Sequence, residues 1–183
     1  MKKAMFKAGI GVLLFSLSLT SCKKDKQDAN EEELITTVKL TFTETGSGTV
    51  STYTFKDLDG DGGAAPTVYQ DIILAPSKTY NMAITVSNES VTPAEDITAE
   101  ISAEGNDHQF YFEPSGANVT VSNLNTDGSG LPLGLTSTWT TGAASNGTVK
   151  ITLKHKPGIK AAGDAVTKGD TDIELNWVTR VQL

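Results

Sequence analysis

From Leu34 onward, apolar and polar residues alternate with a period of two. Leu34, Thr36, Val38, Leu40 and Phe42 fall on one face of an extended segment, and Ile35, Thr37, Lys39, Thr41 and Thr43 on the other. Successive side chains of a strand point to opposite faces, so this alternation predicts a strand with one buried side. The pattern returns at Tyr80, Met82, Ile84 and Val86, then at Ile97, Ala99, Ile101 and Ala103. It returns again at Val149, Ile151, Leu153 and His155, and at Ile173, Leu175, Trp177, Thr179 and Val181. Weaker strands are predicted over Val50–Lys56 and over residues 67–74, 108–113, 118–122 and 133–140, where Thr, Val, Ile and aromatic residues dominate. Turn-forming clusters such as Gly46-Ser47-Gly48, Glu104-Gly105-Asn106-Asp107 and Ser145-Asn146-Gly147 separate them.

No window after Leu34 sustains a helical stripe. The best candidate, residues 158–168, is interrupted by Gly163 and has few apolar positions. Many short one-sided strands predict an all-β fold, an antiparallel β-sandwich of immunoglobulin-like or similar type. The alternative is a closed lipocalin-like barrel. An outer-membrane barrel fits poorly, because no aromatic girdle is legible. Trp139 and Trp177 lie on predicted strands and are expected in the core.

The N-terminus departs from this pattern. Lys2, Lys3 and Lys7 precede an apolar run from Ala8 to Leu19, which ends in Leu19-Thr20-Ser21-Cys22. A basic start and a short apolar stretch are the form of a secretory signal, and the run falls short of the roughly 20 residues that span a bilayer. The ending resembles the bacterial lipobox, in which the cysteine is acylated and becomes the new N-terminus. Cys22 is the only cysteine of the 183 residues, so an intrachain disulfide is excluded. The expected organisation is a signal peptide over 1–21, a lipidated acidic tether over 22–33 and one β-sandwich domain over 34–183. Residues 23–33 (KKDKQDANEEE) contain no apolar side chain except Ala29 and reach roughly 35 Å when extended. An acidic run after the cysteine looks like the tag that directs lipoproteins of Bacteroidota-type bacteria to the cell surface.

The chain carries 15 Lys plus Arg against 22 Asp plus Glu. Cleavage before Cys22 removes three lysines, leaving 12 basic against 22 acidic side chains and moving the formal charge from −7 to −10. That balance disfavours nucleic acid and suits cationic or neutral ligands.

Asp57-Leu58-Asp59-Gly60-Asp61-Gly62-Gly63 is the most chemical-looking segment. Asp57, Asp59 and Asp61 match the opening of a calcium loop, in which hard oxygen donors converge on a cation. Val68 stands where such a loop would place its bidentate glutamate, and the competing expectation is a hairpin tip. His108 and His155 are candidate ligand contacts if their strands are neighbours; ordinary strand-edge histidines are the alternative. No nucleophile elbow or triad pattern is present, so the protein is expected not to be an enzyme, with a polysaccharide-active enzyme as the lesser alternative.

Leu19-Thr20-Ser21-Cys22 with Lys23-Lys24-Asp25, Asp59-Gly60-Asp61-Gly62-Gly63 with Pro66, His108-Gln109-Phe110-Tyr111-Phe112, and Lys154-His155-Lys156-Pro157-Gly158 together give the chain a family likeness. It resembles a loosely defined group of small Bacteroidota-type outer-membrane lipoproteins, often labelled periplasmic-binding-like and often encoded beside TonB-dependent receptors. The label implies a two-lobed α/β fold, which the β-type periodicity contradicts. The resemblance implies a non-enzymatic accessory of a nutrient receptor, taking a small molecule or glycan, and brings no catalytic residues. A structural or adhesive surface module with a calcium-stabilised loop is the other expectation.

Overall fold

The computed structural model describes residues 34–60 and 62–183, which belong to one compact unit. The leader, Cys22, the tether and Asp61 lie outside the described residues. In chain order the elements are β1 (Thr37–Glu44), β2 (Val50–Lys56), β3 (Val68–Tyr69), β4 (Ile72–Leu74), β5 (Thr79–Ser87), α1 (Ile97–Ala103), β6 (His108–Ser115), β7 (Val119–Ser122), β8 (Thr136–Thr141), β9 (Ser145–His155) and β10 (Asp170–Val181).

Alternation becomes burial. In β1, Val38, Leu40 and Phe42 are buried while Lys39 is exposed, and in β5 Tyr80, Met82, Ile84 and Val86 repeat the pattern. One sheet has the order β3-β2-β1-β5-β8-β7 and the other β4-β10-β9-β6. Their apolar faces meet around Trp139 of β8, which stands edge-on to Phe42 at 5.0 Å and to Phe112 of β6 at 5.9 Å. The architecture is a β-sandwich, and the sheets do not close into a barrel. Both tryptophans are fully buried, as their strand positions predict. Gly147 of β9 marks where the backbones touch: a Cβ there would stand 2.1 Å from the Ala117 amide nitrogen, so only glycine fits.

Four local expectations are corrected. Residues 97–103 form helix α1 instead of a strand. Ile97 and Ile101, both buried, are four apart and satisfy either period; the Asp96 cap, which accepts from the Ala99 amide at 3.2 Å, together with Ala99, Glu100 and Ala103, decides for the helix. The Thr98 hydroxyl then accepts from the Val86 amide (2.7 Å) and donates to its carbonyl (3.0 Å), occupying a β5 edge that β8 does not reach. Residues 67–74 are two strands in different sheets, because the chain crosses at Gln70-Asp71; Arg180 donates twice to Asp71 at 2.9 and 3.0 Å there. The resulting β4–β10 pair is parallel. The strand expected over 133–140 begins only at Thr136.

The fourth correction concerns β9, whose outer face is also covered. Thr152 and Lys154 are buried, and residues 156–169 fold back onto Tyr111, the register partner of Thr152. Lys156, with no exposed surface, lies 4.5 Å above the Tyr111 ring, donates to its hydroxyl, and sits 3.7 Å from Asp164. Tyr111 in turn donates to the Asp164 carbonyl at 3.0 Å. Burial first, and the Asp164 charge second, push the Tyr111 pKa up to about 12, while burial lowers that of Lys156. In an alkaline titration followed by tyrosinate absorbance, Tyr111 is expected to ionise last, near pH 12, and Tyr111→Phe to remove that final step. Ionisation of all four tyrosines near the free-phenol value of about 10 would contradict this packing.

Candidate functional site

At the end of the sandwich where β1 and β10 begin and β2 ends, the two sheets part around a cleft of about 760 Å³. Ile35 and Phe55 line it from one sheet, Ile173 and Leu175 from the other, and Leu34 and Pro66 complete the apolar lining. Asp57 and Asp172 bring carboxyl groups to the same space. An apolar cavity with a few placed polar groups, of this size, has the general form of a small-molecule site.

The loop between β2 and β3 contributes to the lining. Its strands pair as a hairpin, Phe55 with Tyr69 and Lys56 with Val68, as the turn-rich sequence predicts. Asp57 is buried, with its amide donating to the Thr36 carbonyl at 2.8 Å. Asp59 accepts from the Ala64 amide at 2.7 Å, and this bond, followed by a side-chain hydrogen bond with Asp57, holds its carboxyl below the usual range. A Cβ on Gly63 would stand 2.3 Å from the Asp59 carboxylate, so a larger residue there would displace the Asp59 side chain. Two of the three aspartates of the expected calcium loop thus converge side chain to side chain; Asp61 lies outside the described residues.

His108 and His155 are also brought together. They are register partners of β6 and β9, and their rings stack with centroids 4.7 Å apart and 12° between planes. The register of β10 against β9 slips between Thr171 and Ile173, leaving Asp172 as the extra residue. A bulge of this kind re-aims a side chain. The Asp172 carboxylate, 7% exposed, lies 3.9 Å from His108 Nε2. On the other side of His108, Nδ1 donates to the carbonyl of Glu104, the C-cap of α1, at 3.2 Å. A carbonyl only accepts, so the proton resides on Nδ1. Burial drives the His108 pKa below its ordinary value; the hydrogen bond to Glu104 opposes this, and the nearby His155 reinforces it. A carboxylate oxygen of Glu104 and one ring nitrogen from each histidine lie within 4.8 Å of one another, a set able to hold a metal ion.

Asp172 and Glu104 are absent from the sequence-derived site. Glu104 precedes His108 by four residues, a spacing that could have marked it; the role of Asp172 depends on the bulge and leaves no periodic signature. Comparison with protein-family models, with curated proteins and with solved structures finds no match to this chain.

Proposed function

We propose that the protein is a lipid-anchored, non-enzymatic binding module of the outer membrane that captures a cationic or neutral small molecule or glycan, as an accessory of a TonB-dependent nutrient receptor at the cell surface. The observation that carries this reading is the cleft, which joins apolar walls to the carboxyl groups of Asp57 and Asp172. The formal charge of −10 after cleavage favours the same ligands. Leu34 of the lining directly follows the acidic tether, so the ligand site adjoins the root of the anchor. Cys22 with two or three acyl chains makes a stable attachment, where one chain would be marginal.

The test has two arms. In cells fed an alkyne-tagged palmitate, the wild-type chain is expected to be labelled and membrane-bound, and Cys22→Ala to lose both properties; retained label would sink the anchoring. In a binding screen of neutral and cationic glycans and small molecules, Ala64→Trp, which fills the cleft, is expected to weaken capture at least tenfold. A screen without hits, or hits indifferent to Ala64→Trp, would overturn the binding role. Because Asp57, Asp172 and Glu174 all line the cleft, glycan products are analysed in the same screen: cleavage lost in Asp172→Asn would replace binding by hydrolysis.

A further inference from the structure

We propose that Glu104, His108 and His155 bind a divalent transition-metal ion of the zinc class, beside the carboxylate of Asp172. None of the three donors lines the cleft, which shares only Asp172 with this site. Three separate elements deliver the donors: the end of α1, the start of β6 and the end of β9. Antiparallel register fixes the two imidazoles side by side, and Glu104, four residues before His108, brings its carboxylate to within 4.8 Å of both. Zinc–nitrogen bonds of about 2.0–2.1 Å hold tetrahedral donors roughly 3.3 Å apart. The remaining gap falls to the side chains of Glu104, which is exposed, and His155, which is half-buried.

His108 is the prepared ligand. Its Nδ1–H is held by the Glu104 carbonyl at 3.2 Å, the kind of outer contact that fixes the tautomer of metal-binding histidines, and this leaves the lone pair on Nε2. Nε2 faces Asp172 at 3.9 Å. The ring is buried at 3% exposure. Two imidazoles and a carboxylate select zinc, copper or nickel over calcium or magnesium, which prefer oxygen donors alone. The nearby lysines are engaged elsewhere: Lys154 donates to Thr171, Lys156 to Tyr111 and Lys160 to Asp127.

The experiment uses the full-length, untagged chain carrying Cys22→Ser, so that no thiol or tag competes, after treatment with a chelator. Calorimetric titration with zinc is expected to show one saturable equivalent, and cobalt to give the intense visible bands of a four-coordinate site. His155→Ala, with its fold checked by circular dichroism, is expected to weaken zinc binding at least 100-fold. Asp172→Asn, which removes the carboxylate 3.9 Å from His108 Nε2, is expected to weaken it by less than His155→Ala does. If His155→Ala does not fold, Glu104→Gln, at an exposed helix end, carries the same 100-fold expectation. Ala64→Trp in the cleft is expected to leave zinc affinity unchanged, which separates failure of this site from failure of ligand capture. Absence of saturable zinc and cobalt binding, or binding indifferent to the ligand substitutions, would overturn the assignment.

Discussion

Trp139→Ala is expected to lower the unfolding free energy by about 3–5 kcal/mol, the range for removing a fully buried large aromatic side chain. At roughly 2–4 °C per kcal/mol for a domain of this size, the melting temperature should fall by about 6–20 °C. The reason lies in what the ring touches. It has no exposed surface, it meets Phe42 within its own sheet at 5.0 Å, and it meets Phe112 of the facing sheet at 5.9 Å. Each edge-to-face pair adds about 0.5–1.5 kcal/mol beyond burial. The indole Nε1 also donates to the buried Ser137 hydroxyl at 3.0 Å, which alanine would leave without that donor. Trp177 is equally buried but its Nε1 has no hydrogen-bond partner among the described residues, so its contribution is packing alone. Urea unfolding of Trp139→Ala, with Trp139→Phe as the graded control, measures the effect. A loss below about 1 kcal/mol would show that the sheets are not held together at this ring.

The fold class and the placement of both tryptophans were readable because a strand buried on one side writes its burial into every second residue. Val38, Leu40 and Phe42 against Lys39 need no further context. The reading failed where two physical signals coincide or where a third segment intervenes. Ile97 and Ile101 fit a strand and a helix equally, and only the Asp96 cap and the helix-forming residues between them break the tie. At Gln70-Asp71 the chain changes sheets, an event of tertiary pairing with no composition of its own. Lys154 and Lys156 are charged yet buried, because Lys154 donates to Thr171 of β10 and Lys156 lies over Tyr111 of β6, tertiary contacts that periodicity does not show.

The candidate site divides in the same way. Asp57 and Asp59 are neighbours in sequence and meet in the loop; the approach of His108 to His155 needed the β6–β9 register. Asp172 shows the limit most clearly. It follows Thr171 in an alternating strand and would face outward, but the slip in register places its carboxylate beside His108 and on the cleft at once. Through this residue the cleft and the histidine pair share a wall, although each has its own donors.

Lys160→Ala is expected to cost about 3 kcal/mol, at the lower end of the ~3–5 kcal/mol typical when one partner of a buried ion pair is removed. The lysine and Asp127 side chains are only 2% and 0% exposed, but Asp127 keeps two backbone amide donors when the lysine is removed, which places the expected cost at that lower end. Lys160 Nζ donates to Asp127 at 2.7 Å and to the carbonyls of Gly105 and His108 at 2.7 and 2.8 Å. One ammonium thereby ties segment 156–169 both to the loop before β8 and to the start of β6. Asp127 is prepared for it, accepting from the amides of Ser129 and Leu131 at 2.8 and 2.9 Å. Burial raises the Asp127 pKa, but Lys160 and these amides outweigh it and hold the carboxyl below its ordinary value. A depressed carboxyl stabilises the fold above the unfolded-state pKa of about 3.9 and loses that contribution as pH falls through the folded-state value. The gap in stability between wild type and Lys160→Ala should therefore hold at neutral pH and narrow below about pH 4. A double-mutant cycle with Asp127→Ala isolates the pair, with a coupling of about 1–3 kcal/mol expected. Additivity within about 0.5 kcal/mol would mean that the two carbonyls, not the carboxylate, hold Lys160 in place. Limited proteolysis supplies the local reading: cleavage within residues 156–169 should accelerate in Lys160→Ala before global unfolding does, because the pin that is lost belongs to that segment.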